Sequence, residues 1–284
     1  MLLLVGYVIV LAASVGTYAV HGSLGALWVP LEYLAIVGLT IGYLVGSNGP
    51  RSLKAVLGAI PSVLKGSPFN KALYMDLLAL LFELLAKVRK EGLMSIERDV
   101  ENPGESALFG KYPRVAGDHH LIEFMTDYLR LMVSGNMNAF EIENLMDNEI
   151  ETHHHEAEVP SHTIQVLADG MPAFGIVAAV MGVVHTMASV GRPPSELGIM
   201  VANALVGTFL GILLGYGFVG PLASLLAERA NEATKALQCV KVTLLASLNG
   251  YAPAIAIEFG RKVLYSNERP SFTELEEHVK RSKR

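Results

Sequence analysis

Four long apolar runs constrain the fold of this chain more than any other feature of its sequence. They lie in pairs within residues 1–48 and 170–221, where charged side chains are scarce. A helix of about 20 residues, rising about 1.5 Å per residue, crosses the hydrocarbon core of a bilayer. The sequence therefore predicts four transmembrane helices arranged as two hairpins, at Leu2–Val20, Leu31–Val45, Phe174–Val190 and Gly198–Leu226.

The distribution of basic residues predicts how these spans are oriented. Of the 22 Lys and Arg residues, only Arg192 lies in a connector between the two spans of a hairpin. Basic residues close to the spans stay on the cytoplasmic side of a membrane, and Arg51, Lys54 and Arg229 occupy such positions. Both termini and the segment 49–169 are therefore predicted to be cytoplasmic.

The segments outside the membrane are also predicted to be helical. Leucines at three- and four-residue spacing give Lys71–Glu91 an amphipathic face, and Asp118–Val133 carries a second one. Asn138, followed three residues later by Glu141, is typical of a capping box that starts a further helix. An apolar stripe beyond the fourth span predicts that this span continues into the cytoplasm as one long helix.

Together these patterns predict an all-α membrane protein with four transmembrane helices. A helical cytoplasmic domain lies between spans two and three, and a long helical extension follows span four. The predicted divisions are a hairpin at 1–48, the cytoplasmic domain at 49–169, a second hairpin at 170–221, and the extension with its tail at 222–284. From Glu274 onward the charged tail is predicted to be a solvated short helix or disordered.

Composition and charge exclude several classes of function. Charged residues make up 17% of the chain, against about a quarter in soluble proteins, and the net charge of −5 provides no basic surface for nucleic acid. The one cysteine, Cys239, cannot form an intrachain disulfide and is expected to be a reduced thiol on a packed helix. Because no phosphate loop, nucleophile elbow or zinc motif occurs, the sequence predicts neither an enzyme nor a cofactor.

Ionisable residues are scarce in the predicted spans, although an ion path through lipid normally needs them. The sequence places Glu32 and Glu196 at the edges of their spans, and His185 is the one imidazole at depth. We expect His185 to form an interhelical hydrogen bond rather than to relay protons. A chain of this kind would have to obtain its ion-binding carboxylate from another protein.

Three consecutive histidines, His153, His154 and His155, invite interpretation as a metal site. Successive side chains of an α-helix point about 100° apart, so the three imidazoles cannot meet at one ion. The histidines are therefore expected on a solvated helix face, and no metal site is predicted.

Several segments resemble the MotA family, the membrane ring subunits of the flagellar stator. They occur in the order of the family and extend over nearly the whole chain. The segments are Tyr74–Leu81, Glu97–Pro103, Tyr128–Leu131, Pro172–Gly182, Val206–Gly211, Gly250–Pro253, Glu258–Arg261 and Glu268–Phe272.

The resemblance implies a function in bacterial motility and chemotaxis. In this family about five copies of the chain ring a dimer of MotB in the bacterial inner membrane, and the single span of each MotB chain brings the aspartate that takes and releases the ion. The cytoplasmic domain of the ring pushes on the rotor protein FliG. Such a complex conducts protons and converts their flow into torque.

Three other functions stay open at this point. An energiser of the ExbB/TolQ type, which serves an envelope transport system, also rings a partner that carries an aspartate, but that family has three spans. A self-contained ion channel or transporter is disfavoured by the shortage of ionisable residues in the spans. A purely structural scaffold would be separated from a motor by the motility of a deletion strain.

The resemblance also assigns roles to four charged and proline residues. Arg89 and Glu97 match a charged pair that faces FliG. Pro172 and Pro221 match prolines at the cytoplasmic ends of spans three and four, which couple the arrival of the ion to movement of the cytoplasmic domain. A structural role is the alternative, because proline suits the first turn of a helix and sets a bend near a helix end.

Positions 179, 207 and 208 predict which ion drives the motor. In sodium-type relatives such as PomA these positions carry threonines, whereas this chain has Ala179, Gly207 and Thr208. Sodium, a hard cation, needs several oxygen ligands, and two of the three are missing, so the sequence predicts proton drive. The Thr208 hydroxyl either orders water on the ion path or bonds a carbonyl of its own helix.

Overall fold

The computed structural model describes residues 2–64, 66–135 and 137–282, and each regular element in these ranges is helical. The chain forms two compact units. The first comprises Met1–Gly66 and Ala157–Glu228, and the second comprises Ser67–Glu156 and Arg229–Arg284. The divisions predicted at residues 48, 169 and 221 stay predictions.

The α-helices are numbered along the chain. They are α1 Leu2–Leu11, α2 Thr17–His21, α3 Pro30–Ser47, α4 Pro50–Leu64, α5 Lys71–Glu91, α6 Glu97–Glu101, α7 Ala107–Gly110, α8 Pro113–Ala116, α9 His119–Ser134, α10 Ala139–Met187, α11 Pro194–Ile212, α12 Gly220–Leu248, α13 Pro253–Val263 and α14 Phe272–Ser282. Two π-helical segments, Ala12–Gly16 and Leu213–Val219, join α1 to α2 and α11 to α12, and 3₁₀ turns form at Leu24–Leu27, Leu93–Ile96 and Pro103–Glu105.

Within the described ranges, four helical stretches are long and apolar enough to cross a membrane, which confirms the number of spans predicted from the sequence. They are Leu2–His21, Leu24–Ser47, Ala139–Met187 and Pro194–Leu248. Many of their large apolar side chains are exposed on the surface of the single chain, including Leu2 and Val20 in the first and Leu31 in the second. Such a surface suits lipid or another membrane chain rather than water.

The third span is part of the 49-residue helix α10. This helix begins at the predicted capping box, in which the Asn138 N–H donates to Glu141 Oε2 at 2.9 Å and the Glu141 N–H donates to Asn138 Oδ1 at 3.0 Å. Pro160 and Pro172 both lie inside the helix. Pro172 therefore does not lie in the first turn of its helix, because the span continues a helix that began 33 residues earlier.

The fourth span continues as one helical rod through α11, the π segment Leu213–Val219 and α12, which confirms the predicted extension beyond the membrane. Pro221 is the second residue of α12, directly after the π segment. Because proline has no N–H to donate to the fourth residue before it, an irregular turn at this point is the expected local response.

Within the first unit, α10 and the fourth span approach each other at glycines. A Cβ atom placed on Gly211 would lie 2.6 Å from the Met171 carbonyl oxygen and 2.8 Å from the Gly175 Cα. By contrast, a Cβ atom on Gly38, Gly42 or Gly46 of span two would meet nothing within 4 Å among the described residues. The glycine Gly211 of span four thus packs against span three of the same chain, as small residues allow in membranes. The three glycines of span two, in contrast, meet no neighbour among the described residues.

The second unit is built around α5. Leu77, Leu80, Leu81 and Leu84 of the predicted amphipathic face have no exposed surface, which confirms that face. Leu78, which lies outside the predicted face, is equally buried, so α5 is enclosed on more sides than an amphipathic pattern indicates. Side chains of α9, α12, α13 and α14 and the early part of α10 share the same apolar core.

The C-terminal segment forms helix α14, and Leu275 and Val279 on it are buried in the core of the second unit. The prediction of a short helix is confirmed for the described part, but the helix is not solvated on all sides, because its apolar residues have a four-residue spacing that turns them toward one buried face. Lys283 and Arg284, which that prediction also included, lie outside the described residues.

Two polar contacts also attach α14 to α5. Glu274 accepts a hydrogen bond of 2.7 Å from the Lys71 ammonium, and this bond, with the Ser271 N–H, lowers the pKa of Glu274 to about 2. His278 Nε2 lies 3.2 Å from Asp76 Oδ1, and Asp76 also accepts a 2.9 Å bond from Arg114. The tail is thus part of the folded second unit.

Cys239 lies on α12 inside the core of the second unit and has no exposed surface. Its neighbour on α13 is Gly260, where an added Cβ atom would lie 3.1 Å from the cysteine sulfur. The position on a packed helix agrees with the sequence prediction.

Candidate functional site

The predicted ion-path positions 179 and 207 meet at the contact between spans three and four. A Cβ atom on Gly207 would lie 3.2 Å from the backbone nitrogen of Ala179 and 3.2 Å from Ala178 Cβ. Ala179 is 8% exposed. The structure therefore brings these two residues together at a place where α10 and α11 touch through backbone and methyl groups, without a side-chain oxygen from either.

Thr208 differs from the other hydroxyl residues of the spans. Ser14, Thr17, Thr40 and Thr186 each bond the carbonyl of the residue four before, at 2.6 to 2.9 Å. The half-buried Thr208 hydroxyl makes no hydrogen bond to any residue that the structure describes. The sequence left two alternatives for Thr208, and the bond to a carbonyl of its own helix is not formed. Its hydroxyl is therefore available to water or to another chain.

Glu32 is a candidate functional residue whose position the sequence did not predict. It lies in the first turn of α3, and its carboxylate reaches the contact between spans three and four. A Cβ atom on Gly207 would be 2.8 Å from Glu32 Oε2, and one on Gly182 would be 3.4 Å from Oε1. The sequence placed Glu32 only at the edge of span two, whereas in the structure its carboxylate also lies next to spans three and four.

The sequence did contain a signal for this placement. Pro30 occupies the first helical position, where proline is favoured, so Glu32 falls inside the first turn rather than before it. Glu196, the other acidic residue assigned to an edge, has 52% of its side chain exposed and lies 3.5 Å from Arg192. It stays at the edge as predicted.

Pro172 packs against the π segment of span four. A Cβ atom on Gly215 would lie 3.2 Å from Pro172 Cδ and 2.6 Å from the carbonyl oxygen of Ala168. Ala168 is the residue whose carbonyl would receive the N–H of position 172 if that position were not proline. Pro172 therefore lies beside the irregular segment that precedes Pro221.

Arg89 and Glu97 lie in the second unit, on the helices α5 and α6, which the 3₁₀ turn Leu93–Ile96 joins. Arg89 is exposed in the last turn of α5 and donates a 3.3 Å hydrogen bond to the carbonyl oxygen of Gly250. Glu97 is exposed at the first residue of α6, where a negative charge is favoured by the helix dipole. It makes no hydrogen bond or ion pair with any residue in the described ranges.

The three consecutive histidines point to different neighbours. The ring of His153 lies 5.3 Å from that of His120, His154 Nδ1 lies 2.9 Å from Thr234 Oγ1, and His155 lies 3.7 Å from Glu151. His153 and His154 are half-buried, so the predicted solvated face holds for His155 alone.

His185 is exposed on the surface of the single chain and its ring makes no hydrogen bond to any described residue. The interhelical hydrogen bond expected for it is therefore not formed within this chain.

Comparison with known proteins agrees with this architecture. The model of the Motility protein A N-terminal family matches residues 4–92, and that of the MotA/TolQ/ExbB proton channel family matches residues 117–239. Motility protein A of Salmonella typhimurium and that of Escherichia coli K12 are each 57% identical to this chain over 282 residues, covering 99% of this chain and 95% of theirs.

Two solved structures have the same fold. A MotAB structure from C. jejuni matches with a TM-score of 0.78 at 19% identity, covering 95% of this chain and 98% of that one. The flagellar MotAB stator complex from Bacillus subtilis matches with a TM-score of 0.72 at 25% identity, covering 90% and 92%. With the family matches and the relatives at 57% identity, these findings show that the chain belongs to the Motility protein A family of flagellar stator subunits, within the MotA/TolQ/ExbB proton channel family.

Proposed function

We propose that this chain surrounds a MotB-type partner as a ring of about five copies, and that the complex conducts protons and converts their flow into torque on the rotor. The observation that carries the proposal is the 57% identity to Motility protein A, which extends over 99% of the chain. The two structural relatives with the same fold are described as MotAB complexes, which supports a partner of this kind.

The arrangement of spans three and four suits a partner that brings the ion-binding aspartate. Their contact at Ala179 and Gly207 is lined by backbone and methyl groups, and the adjacent Thr208 hydroxyl has no partner among the described residues. A proton needs a carboxylate and a path of water, and a free hydroxyl is a suitable group to order that water. Ala179 and Gly207 provide no side-chain oxygen, so the site lacks two of the three threonine hydroxyls that sodium-type relatives offer as ligands.

The complex is placed in the bacterial inner membrane with both termini and the second unit in the cytoplasm. The support is the distribution of basic residues, of which Arg192 is the only one in a connector within a hairpin. In this orientation the exposed Arg89 and Glu97 face the cytoplasm, where a rotor protein of the FliG type is present. Neither residue is part of the apolar core.

A deletion strain tests the motor function and the driving ion together. Cells that lack the gene should assemble filaments that do not rotate, and expression of the chain should restore swimming. In the restored cells an uncoupler should stop swimming in the presence of sodium, whereas removal of sodium at constant pH should not. Swimming that survives the uncoupler but stops without sodium would reject proton drive, and filaments that rotate in the deletion strain would reject the stator function.

Charge reversal tests the rotor contact. Exposed ion pairs are individually worth about 0–1 kcal/mol, so Arg89 and Glu97 are expected to guide and orient the contact rather than to hold it. The double variant Arg89→Glu, Glu97→Lys should swim several-fold more slowly while its amount in the membrane stays at the wild-type level. Swimming speed and membrane content are the two measurements.

A neighbouring residue provides the control for this prediction. Lys90 is the residue next to Arg89 and 81% of its side chain is exposed, so Lys90→Glu makes the same change of charge as the Arg89→Glu half of the double variant, at nearly the same place. It should leave swimming close to normal. A double variant that swims as well as the Lys90→Glu control would show that positions 89 and 97 do not contact the rotor.

A further inference from the structure

Glu32 carries a carboxylate into the membrane bundle without a partner to neutralise it. Its oxygens make no hydrogen bond and no ion pair with any residue in the described part of the chain. An ionisable group in a membrane span is costly to keep, and such groups mark ion paths and proton relays. A glutamate in a first turn could also serve only to complement the helix dipole, but that role does not require the side chain to extend across to two other helices.

The surroundings of the carboxylate are shaped to admit it. One oxygen lies where a side chain at Gly207 would be, and the other lies beside the place of a side chain at Gly182. A larger residue at position 207 would require the Glu32 side chain to move, because even a single added carbon would lie 2.8 Å from Glu32 Oε2. The two glycines therefore leave a space on spans three and four that the Glu32 carboxylate fills.

This space adjoins the predicted ion path. A Cβ atom on Gly207 would be close both to Glu32 Oε2 and to the backbone nitrogen of Ala179, and Thr208, with its unbonded hydroxyl, is the next residue along α11. Glu32 itself comes shortly after the connector between spans one and two, which the predicted orientation puts on the membrane face opposite the cytoplasm. A proton that enters from that side would pass Glu32 close to the point where spans three and four meet.

We propose that Glu32 is a proton-binding residue of the ion path, which takes up protons on the connector side of the membrane and passes them toward the aspartate of the partner. This inference rests on the proposed function. In each cycle a hydronium ion on the connector side gives one proton to the Glu32 carboxylate and becomes water. The neutral acid then passes that proton through water to the partner's carboxylate, and Glu32 returns to its ionised form. Gly182 and Gly207 provide the space for the carboxylate, and Thr208 directly follows Gly207 in α11.

Rotation at two loads separates a relay from a structural role. At low load a stator is limited by the supply of protons, whereas near stall the torque depends on the number of assembled units and on the proton-motive force. The Glu32→Gln variant keeps the size of the side chain but cannot exchange a proton. We expect its low-load speed and its proton flux to fall roughly tenfold, as expected when a positioned proton-transfer group is lost, with stall torque near that of the wild type.

Three further variants complete the experiment. Glu32→Asp retains a carboxylate and should recover part of the low-load speed. Glu196→Gln removes an acidic residue from the edge of span four that is paired with Arg192, and it should rotate as the wild type does. Glu32→Ala should lose as much low-load speed as Glu32→Gln, because both variants lack the carboxyl group that exchanges the proton.

The possible results either support or overturn the relay. Wild-type speed at low load in Glu32→Gln would overturn it, and so would an equal loss of membrane content and stall torque in Glu32→Gln and Glu32→Asp, since that would show a structural role. A wild-type chain that fails to restore rotation in the deletion strain would instead contradict the proposed function. The two failures are thus distinguishable.

Discussion

Replacing Pro172 or Pro221 by alanine is expected to leave the stator assembled in the membrane and to abolish its torque. Proline inside a helix removes a backbone hydrogen bond at a cost of about 3 kcal/mol, so alanine should make both helices more regular and more stable. At position 172 the new N–H would bond the Ala168 carbonyl, which lies against Gly215 of the π segment. In both variants the helix should therefore bend less at the substituted position. The amount of the chain in the membrane and its binding to the partner should be unchanged.

Pro160 is the control, because it is another internal proline of the same helix. Pro160→Ala should rotate normally, since the close contacts of Gly215 are with Ala168, Met171 and Pro172. The measurements are the torque of tethered cells and recovery of the chain with its partner from solubilised membranes. Normal torque in both Pro172→Ala and Pro221→Ala would show that these prolines serve the shape of the spans rather than coupling.

Replacing Gly211 by alanine is expected to prevent assembly. The added carbon would lie 2.6 Å from the Met171 carbonyl oxygen and 2.8 Å from the Gly175 Cα, and backbone atoms cannot move aside as a flexible side chain can. Overpacking of this kind costs roughly 1–3 kcal/mol, and the upper part of that range applies because the obstacle is backbone. The variant should show a lower unfolding temperature in detergent, a reduced amount in the membrane and no swimming.

Gly198→Ala is the matched control on the same helix. A Cβ atom there would meet nothing within 4 Å among the described residues, and alanine is the better helix former by about 1 kcal/mol. It should be as stable as the wild type or slightly more stable. If Gly211→Ala unfolds at the same temperature as Gly198→Ala and assembles fully, the backbone contact between spans three and four does not carry the stability assigned to it.

Local patterns in the sequence were sufficient where neighbouring residues determine the structure. The capping box of Asn138 and Glu141 predicted the start of α10, and both of its hydrogen bonds are formed. The end of that helix was not predictable in the same way. Proline usually interrupts a helix, yet α10 continues through Pro160 and Pro172, because packing against other helices compensates for the lost hydrogen bonds.

The candidate site shows the same limit. The apolar runs and the family resemblance identify Ala179, Thr208 and the two prolines, but they do not reveal which side chains from other spans reach that place. Glu32 is 175 residues from Gly207 in sequence, so their contact follows from helix packing alone. Nor does the sequence distinguish Thr208 from Thr186, although one hydroxyl is unbonded and the other bonds its own helix.

Because Cys239 is buried, the folded chain is not expected to react with thiol reagents. A thiol reacts as the exposed thiolate, and this one has no exposed surface and packs against Gly260 in the core of the second unit. A dye or spin label attached to a cysteine introduced at an exposed position such as Glu97 would therefore carry the whole signal. The native cysteine therefore need not be removed before a single label is introduced for fluorescence or distance measurements.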